Sequence, residues 1–173
     1  MNELRINLDP NNAQHRQFGR LVIAESDIRQ ARETARFIAD TITSPHDLLF
    51  DALASATVIW YARPFTHTKE YPGIPGCYTK FSFATFKKIH ERLILQRNRF
   101  EAHMHQAETE VFLIRKEAPI TSDGSQLQVR SHSHFVETAY LVPRSFAGVV
   151  KLCDCQLERL ADQLAELKDR LFP

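Results

Sequence analysis

Glycine is scarce, with five in 173 residues, and no Gly-rich loop occurs that could cradle a phosphate. That excludes the phosphate-loop and dinucleotide-fingerprint classes, whose backbones must approach the ligand closely. No nucleotide cofactor or other cofactor is therefore expected from a loop motif. Cysteine is scarce as well: Cys77, Cys153 and Cys155 form an odd set without a disulfide framework. A reducing, cytoplasmic setting is the expectation. Cys153 and Cys155 supply only half of a tetrahedral zinc site, so no metal is expected. Long hydrophobic runs are missing. The longest nearly apolar stretch, Ala52 to Ala62, is broken by Ser55 and Thr57, and a membrane helix needs about 20 such residues. The opening MNELRINLDPNN is polar and mixed in charge, so neither a signal peptide nor a membrane partner is expected. Neither sign of charge is in excess: 22 basic and 21 acidic residues leave +1. A polybasic nucleic-acid coat and an acidic tail protein are excluded, whereas a local basic patch is not.

What is present is globular-domain composition. Hydrophobic residues make up 43% and charged residues 25%, which rules out disorder of the whole chain. Residues 1–20 read as an N-terminal arm and 21–173 as a single domain. Leu21, Ala24, Ile28, Ala31, Ala35, Ile38 and Ile42 recur at steps of three and four, predicting a helix over about 26–43. Ser44, Pro45 and Asp47 predict the start of a second helix, apolar nearly all round and so expected at the centre. Pro64 stops it. Residues 64–81 carry three prolines and two glycines and read as a long functional or mobile loop. A third helix is expected from Ser82 to Gln106. Val111–Arg115, Gln126–Arg130 and Phe135–Val142 are extended candidates around the turn signal TSDGS. The last helix, Ser145 to Leu171, carries a heptad seam through Phe146, Val150, Cys153, Leu157, Leu160, Leu164, Leu167 and Leu171. The expected fold is mainly α: a four-helix antiparallel bundle with a small β-hairpin insertion, at about 110–142, before the last helix.

The third helix carries the chemistry. With Leu93 at zero and about 100° per residue, Phe86, Ile89, Phe100 and Met104 lie within about 40° of it, and Arg97 lies at about +40°, inside the apolar arc. A guanidinium in that position requires a partner, because an unpaired buried charge costs several kcal/mol. Three explanations stay open: pairing with Asp47 or Asp51, snorkelling to the surface, or an anion cleft or subunit interface. His103 falls at the edge of the arc and can act as general acid or base. Arg99 precedes it by four residues, on the same face. Lys87, Lys88, Arg92, Arg97 and Arg99 against Glu91 leave +4 within residues 87–99. Arginine suits phosphate, since its planar fork donates two parallel hydrogen bonds. Arg63, at the end of the second helix, is either a cation placed at a helix C-terminus or, with Thr66 and His67, part of a phosphate cleft. Tyr61, Tyr71 and Tyr78 are core anchors or base-stacking groups. His90 is expected to be a satisfied, semi-buried histidine. His132 and His134 share one face of an extended segment, as exposed residues or as half of a metal site.

The run Arg97-Asn98-Arg99-Phe100-Glu101-Ala102-His103 resembles the signature of the HEPN superfamily (higher eukaryotes and prokaryotes nucleotide-binding). In that signature an Arg, commonly followed by a polar residue, precedes a His by four to six positions, late in a helix of an α-helical bundle. The resemblance implies metal-independent RNA cleavage in a composite site built from two protomers. His103 would then assist proton transfer, Arg97 would hold the scissile phosphate, and Asn98 would orient one of them. The products would be a 2′,3′-cyclic phosphate and a 5′-hydroxyl. The partners implied are RNA or a nucleotide, a second copy of the chain, and an antitoxin or nucleotidyltransferase if the protein is a toxin or antiphage effector. Two other readings stand beside it: a non-catalytic nucleotide or nucleic-acid binding module, and a helical interaction protein assembled through the heptad seam.

Overall fold

The computed structural model describes residues 8–67, 73–101, 110–122, 125–137 and 141–171. The chain divides into two units, one of residues up to Asn98 together with those from Leu141 onward, the other spanning Arg99–Tyr140. The first unit is a helical bundle.

Helix α1 runs from Ala13 to Thr41. It begins inside the stretch read as an arm. The cause is local: Asn12 is extended, and its side-chain oxygen accepts from the backbone N–H groups of Gln14 (2.8 Å) and His15 (3.3 Å). Two of the helix's orphan donors are thereby satisfied. The predicted stripe is the buried one, with Leu21, Ala24, Ile28, Ala31, Ala35 and Ile38 fully inaccessible.

Helix α2 spans Phe50–Ala62, so it starts six residues after the expected cap. Ser44 and Asp47 build turns in place of a helix end. The Ser44 hydroxyl accepts from the His46 N–H (3.1 Å), and an Asp47 carboxylate oxygen accepts from the Leu49 N–H (2.9 Å). These short-range bonds compete with helix formation. Leu48 is left 97% exposed. The central helix is α1, which packs against both α2 and α4. Its stripe is rich in alanine, so neighbouring backbones can come close, whereas α2 leaves Ile59 45% exposed.

Helix α3 spans Ala84–Glu101, and α4 spans Phe146–Leu171 after a 3-10 turn at Pro143–Ser145. The heptad seam of α4 is turned into the bundle. Phe146, Cys153 and Leu160 are fully buried and Leu167 is 5% exposed, with Val150, Leu157 and Leu164 packed against the same core. The seam is used on the chain's own helices.

Residues 64–81 are anchored in the parts described. A 3-10 turn follows α2 at Arg63–Phe65, and a second covers Gly76–Thr79. Helix α4 holds the second through donors to its carbonyls: Arg159 to Cys77 (2.6 Å) and Tyr78 (3.2 Å), and Gln156 to Tyr78 (2.9 Å). Tyr61 and Tyr78 are buried, which removes both as base-stacking platforms. Tyr71 lies outside the described residues. Gly73 has φ +65°, and a Cβ there would fall 2.5 Å from Nδ1 of His67. Only glycine fits that turn.

In the second unit, strands β1 (Glu110–Ser122) and β2 (Ser125–Glu137) pair antiparallel in unbroken register, from Glu110 opposite Glu137 to Ser122 opposite Ser125. Each strand is 13 residues long, longer than the extended segments expected from the sequence. His132 and His134 stand opposite Arg115 and Leu113 in that ladder.

Candidate functional site

Among the described residues, three polar constellations involve the residues singled out by the sequence. The first joins α2 to α3. The hydroxyl of Tyr61 lies 3.0 Å from Nδ1 of His90. The rings of Phe65 and Phe81 have centroids 4.8 and 5.1 Å from the imidazole. Burial pushes the His90 pKa below the usual 6.5, against the opposing pull of Glu91. Burial likewise raises the Tyr61 phenol well above 10. Both groups therefore stay neutral near pH 7. His90 is the satisfied internal histidine its position suggested. An imidazole walled by two phenyl rings and bonded to a buried hydroxyl contributes to packing.

The second joins α1 to the end of α2. Asp27 is 4% exposed, and one of its oxygens lies 3.5 Å from a guanidinium nitrogen of Arg63. The other oxygen is buried without a hydrogen bond among the described residues. Desolvation raises the Asp27 pKa, and Arg63 partly offsets that. The Arg63 guanidinium also lies 4.9 Å over the Trp60 ring, a cation–π contact. Arg63 is therefore engaged in structural contacts. Thr66 is engaged as well, its hydroxyl donating to the Ala62 carbonyl (3.0 Å). His67 is exposed and lies over Gly73.

The third is the motif on α3. Arg97 is half-buried, and its guanidinium donates to Oδ1 of the adjacent Asn98 (3.3 Å). Asp47 and Asp51 are both exposed, so neither is an internal counter-charge. Arg99 lies within α3 by its backbone, and His103 lies outside the described residues.

Arg92 belongs to a different place. Together with Lys88 and Ile89 of α3 it lines a cleft of about 380 Å³, closed on the other side by Leu141, Arg144, Ser145, Gly148 and Val149. Gly148 permits the close approach of the two helices, since a Cβ on it would meet Ile89 at 3.0 Å. The cleft floor is apolar and its rim carries three cations. No carboxylate is among the described residues that line it.

Sequence reasoning grouped Arg63, Thr66, His67, Arg92 and Arg99 with the motif. The first three cluster at the end of α2, and Arg92 joins the cleft. Two participants were missed. Asp27 sits three residues after Ala24 and four before Ala31, within the buried stripe of α1, and that spacing was a legible signal. Arg144 precedes α4 with nothing in its neighbourhood to mark it. Among the described residues, no group of three or more His, Cys, Asp or Glu could hold a metal ion, and no helix is long and apolar enough to cross a membrane. Burial pushes the Cys153 thiol pKa up, so it is no nucleophile. Compared with known proteins, the chain matches no family model, no curated protein and no solved structure.

Proposed function

We propose that this protein is a HEPN-like, metal-independent endoribonuclease, working in the cytoplasm as a homodimer whose antiparallel four-helix bundles each carry the hairpin as an insertion. The observation that supports this reading is Arg97, half-buried on α3 and held beside Asn98 (3.3 Å) at the start of the motif. In this reading the guanidinium, oriented by the neighbouring amide, binds the phosphate and stabilises charge that develops on it. His103 takes the proton of the attacking 2′-hydroxyl or gives one to the leaving oxygen. Asn98 keeps the arginine in register. Two facing copies bring two such motifs to one cleft. A toxin or antiphage role, with an antitoxin or nucleotidyltransferase as neutralising partner, fits this chemistry.

The test is cleavage of tRNA and mRNA by the purified chain in EDTA, against His103→Ala and Arg97→Ala. The expectation is 2′,3′-cyclic phosphate ends from the wild type and a loss of at least about a hundredfold in either variant. Undiminished cleavage by both variants overturns the assignment, as does dependence on added metal.

A further inference from the structure

Asp27 is the one buried carboxylate among the described residues, and the proposed cleavage chemistry does not use it. A buried carboxylate is normally kept ionised by several donors. Asp27 has one cation, Arg63, with 3.5 Å between nitrogen and oxygen, longer than a good hydrogen bond. Its second oxygen is buried without a hydrogen bond among the described residues. The two partners are unequal. The Arg63 guanidinium is half exposed, while the Asp27 side chain is 6% exposed. Arg63 can turn into water, whereas Asp27 cannot follow it as an anion.

What Arg63 holds is the end of α2. It opens the 3-10 turn Arg63–Phe65, which packs on α1. The Arg63 carbonyl accepts from the Thr66 N–H (3.1 Å), and the Pro64 carbonyl accepts from the Ile74 N–H (2.8 Å). The turn therefore ties both ends of the following stretch to the bundle. Other ionisable groups around Asp27 are spoken for. Asp154, from α4, meets Arg32 at 3.4 Å, about 140° round α1 from Asp27. Arg144, on the 3-10 turn that packs on α1, is exposed. Tyr61 and His90 pair with each other, and His67 lies over Gly73. Arg63 is the charged group that acts on Asp27, and burial outweighs it in raising the Asp27 pKa above 3.8. We propose that Asp27, Arg63 and Trp60 form a proton-operated latch: when Asp27 takes up a proton from solvent in the folded protein, Arg63 leaves α1 and the turn after α2 loosens. The latch shares no residue with the Arg97 motif.

The chain itself supplies the reporter. Trp60 is its single tryptophan, and the Arg63 guanidinium lies 4.9 Å over that ring. The experiment follows tryptophan emission of the full chain from pH 7 to pH 3.5, in wild type, Asp27→Asn and Arg63→Gln. A step with its midpoint above 3.8 is expected in the wild type, with far-ultraviolet circular dichroism unchanged through it. Asp27→Asn should show no step and should already emit at pH 7 as the acidic wild type does. Arg63→Gln should lose the step too, and it carries the test if the Asn variant fails to fold. At pH 7 the Ile74 amide should exchange its hydrogen at least about threefold faster in Asp27→Asn than in the wild type, with the Leu160 amide unchanged. A wild type without a step above 3.8 overturns the proposal, as does a step that coincides with loss of helicity. A step that persists in either variant also overturns it, since His67 or His90 would then be its source. Equal exchange at Ile74 would show that the turn does not depend on the pair, and would overturn it as well. None of these readouts involves RNA, so failure here is distinguishable from failure of the nuclease reading.

Discussion

The two sides of α3 are organised by opposite rules. On one side, His90 meets Tyr61 at 3.0 Å inside a wall of aromatic rings. Nearby, α4 spends Gln156 and Arg159 on the carbonyls of Tyr78 and Cys77. Buried polar groups are costly unless bonded, so folding alone accounts for these pairings. On the other side, Lys88, Arg92 and Arg144 gather around a hollow with an apolar floor. The first arrangement is closed on itself, and the second is open to solvent.

The comparison can be broken most forcefully at Tyr61. Tyr61→Ala removes a fully buried aromatic ring and should cost about 3–5 kcal/mol in urea unfolding. Tyr61→Phe keeps the ring and removes the hydroxyl that meets His90 and Gln156, for about 1–3 kcal/mol. A Phe variant as stable as wild type would mean that the hydroxyl plays no part in holding α2 to α3.

Arg63→Ala comes next. It strips Asp27 of its counter-charge, yet the guanidinium is half exposed, so the expected loss at pH 7 is only about 1 kcal/mol. In an Asp27→Asn background the same change should cost much less, and a full-sized loss there would show that Arg63 acts through Trp60 instead. The pH dependence follows from the same residues. Burial raises the Asp27 pKa above its ordinary 3.8. Within the window from 3.8 up to its folded value the native state holds the extra proton, so stability falls as pH rises. His90 has the reverse slope. Its folded pKa lies below 6.5, so the unfolded chain binds more protons between the two values and stability climbs with pH until about 6.5. Asp27→Asn should therefore gain on the wild type as pH rises from 3.8 through the folded value of Asp27, and lose that gain below 3.8, as measured by urea midpoints. A constant difference across that range would show that Asp27 titrates normally.

How much of this was legible depended on whether the pattern was long-range or local. The stripes of α1 and α4 follow a helical period over many residues, and the structure buries them as read, because tertiary packing enforces such periodicity. Starts of helices are set by single side chains with competing choices. Asn12 caps α1 where an arm was expected, while Ser44 and Asp47 form turns where a cap was expected. The satisfied state of His90 was legible from its place beside the apolar arc of α3. The pairing of Asp27 with Arg63 was only half visible, since nothing in a sequence tells that residues 36 positions apart will meet. The cleft was least visible. It needs Arg144, which lies 52 positions after Arg92, and no periodicity in the sequence links the two.

The smallest expected effect is the one that separates the two sides most cleanly. Replacing Lys88 and Arg144 with glutamine removes two exposed charges. Surface changes of this kind are usually worth no more than about 0.5 kcal/mol. If these side chains take no part in holding the bundle, the double variant should melt where the wild type does. Added salt should leave the two melting temperatures together. A lower melting temperature, insensitive to salt, would place these side chains among the groups that hold the bundle together, and the distinction between the closed and open sides of α3 would collapse.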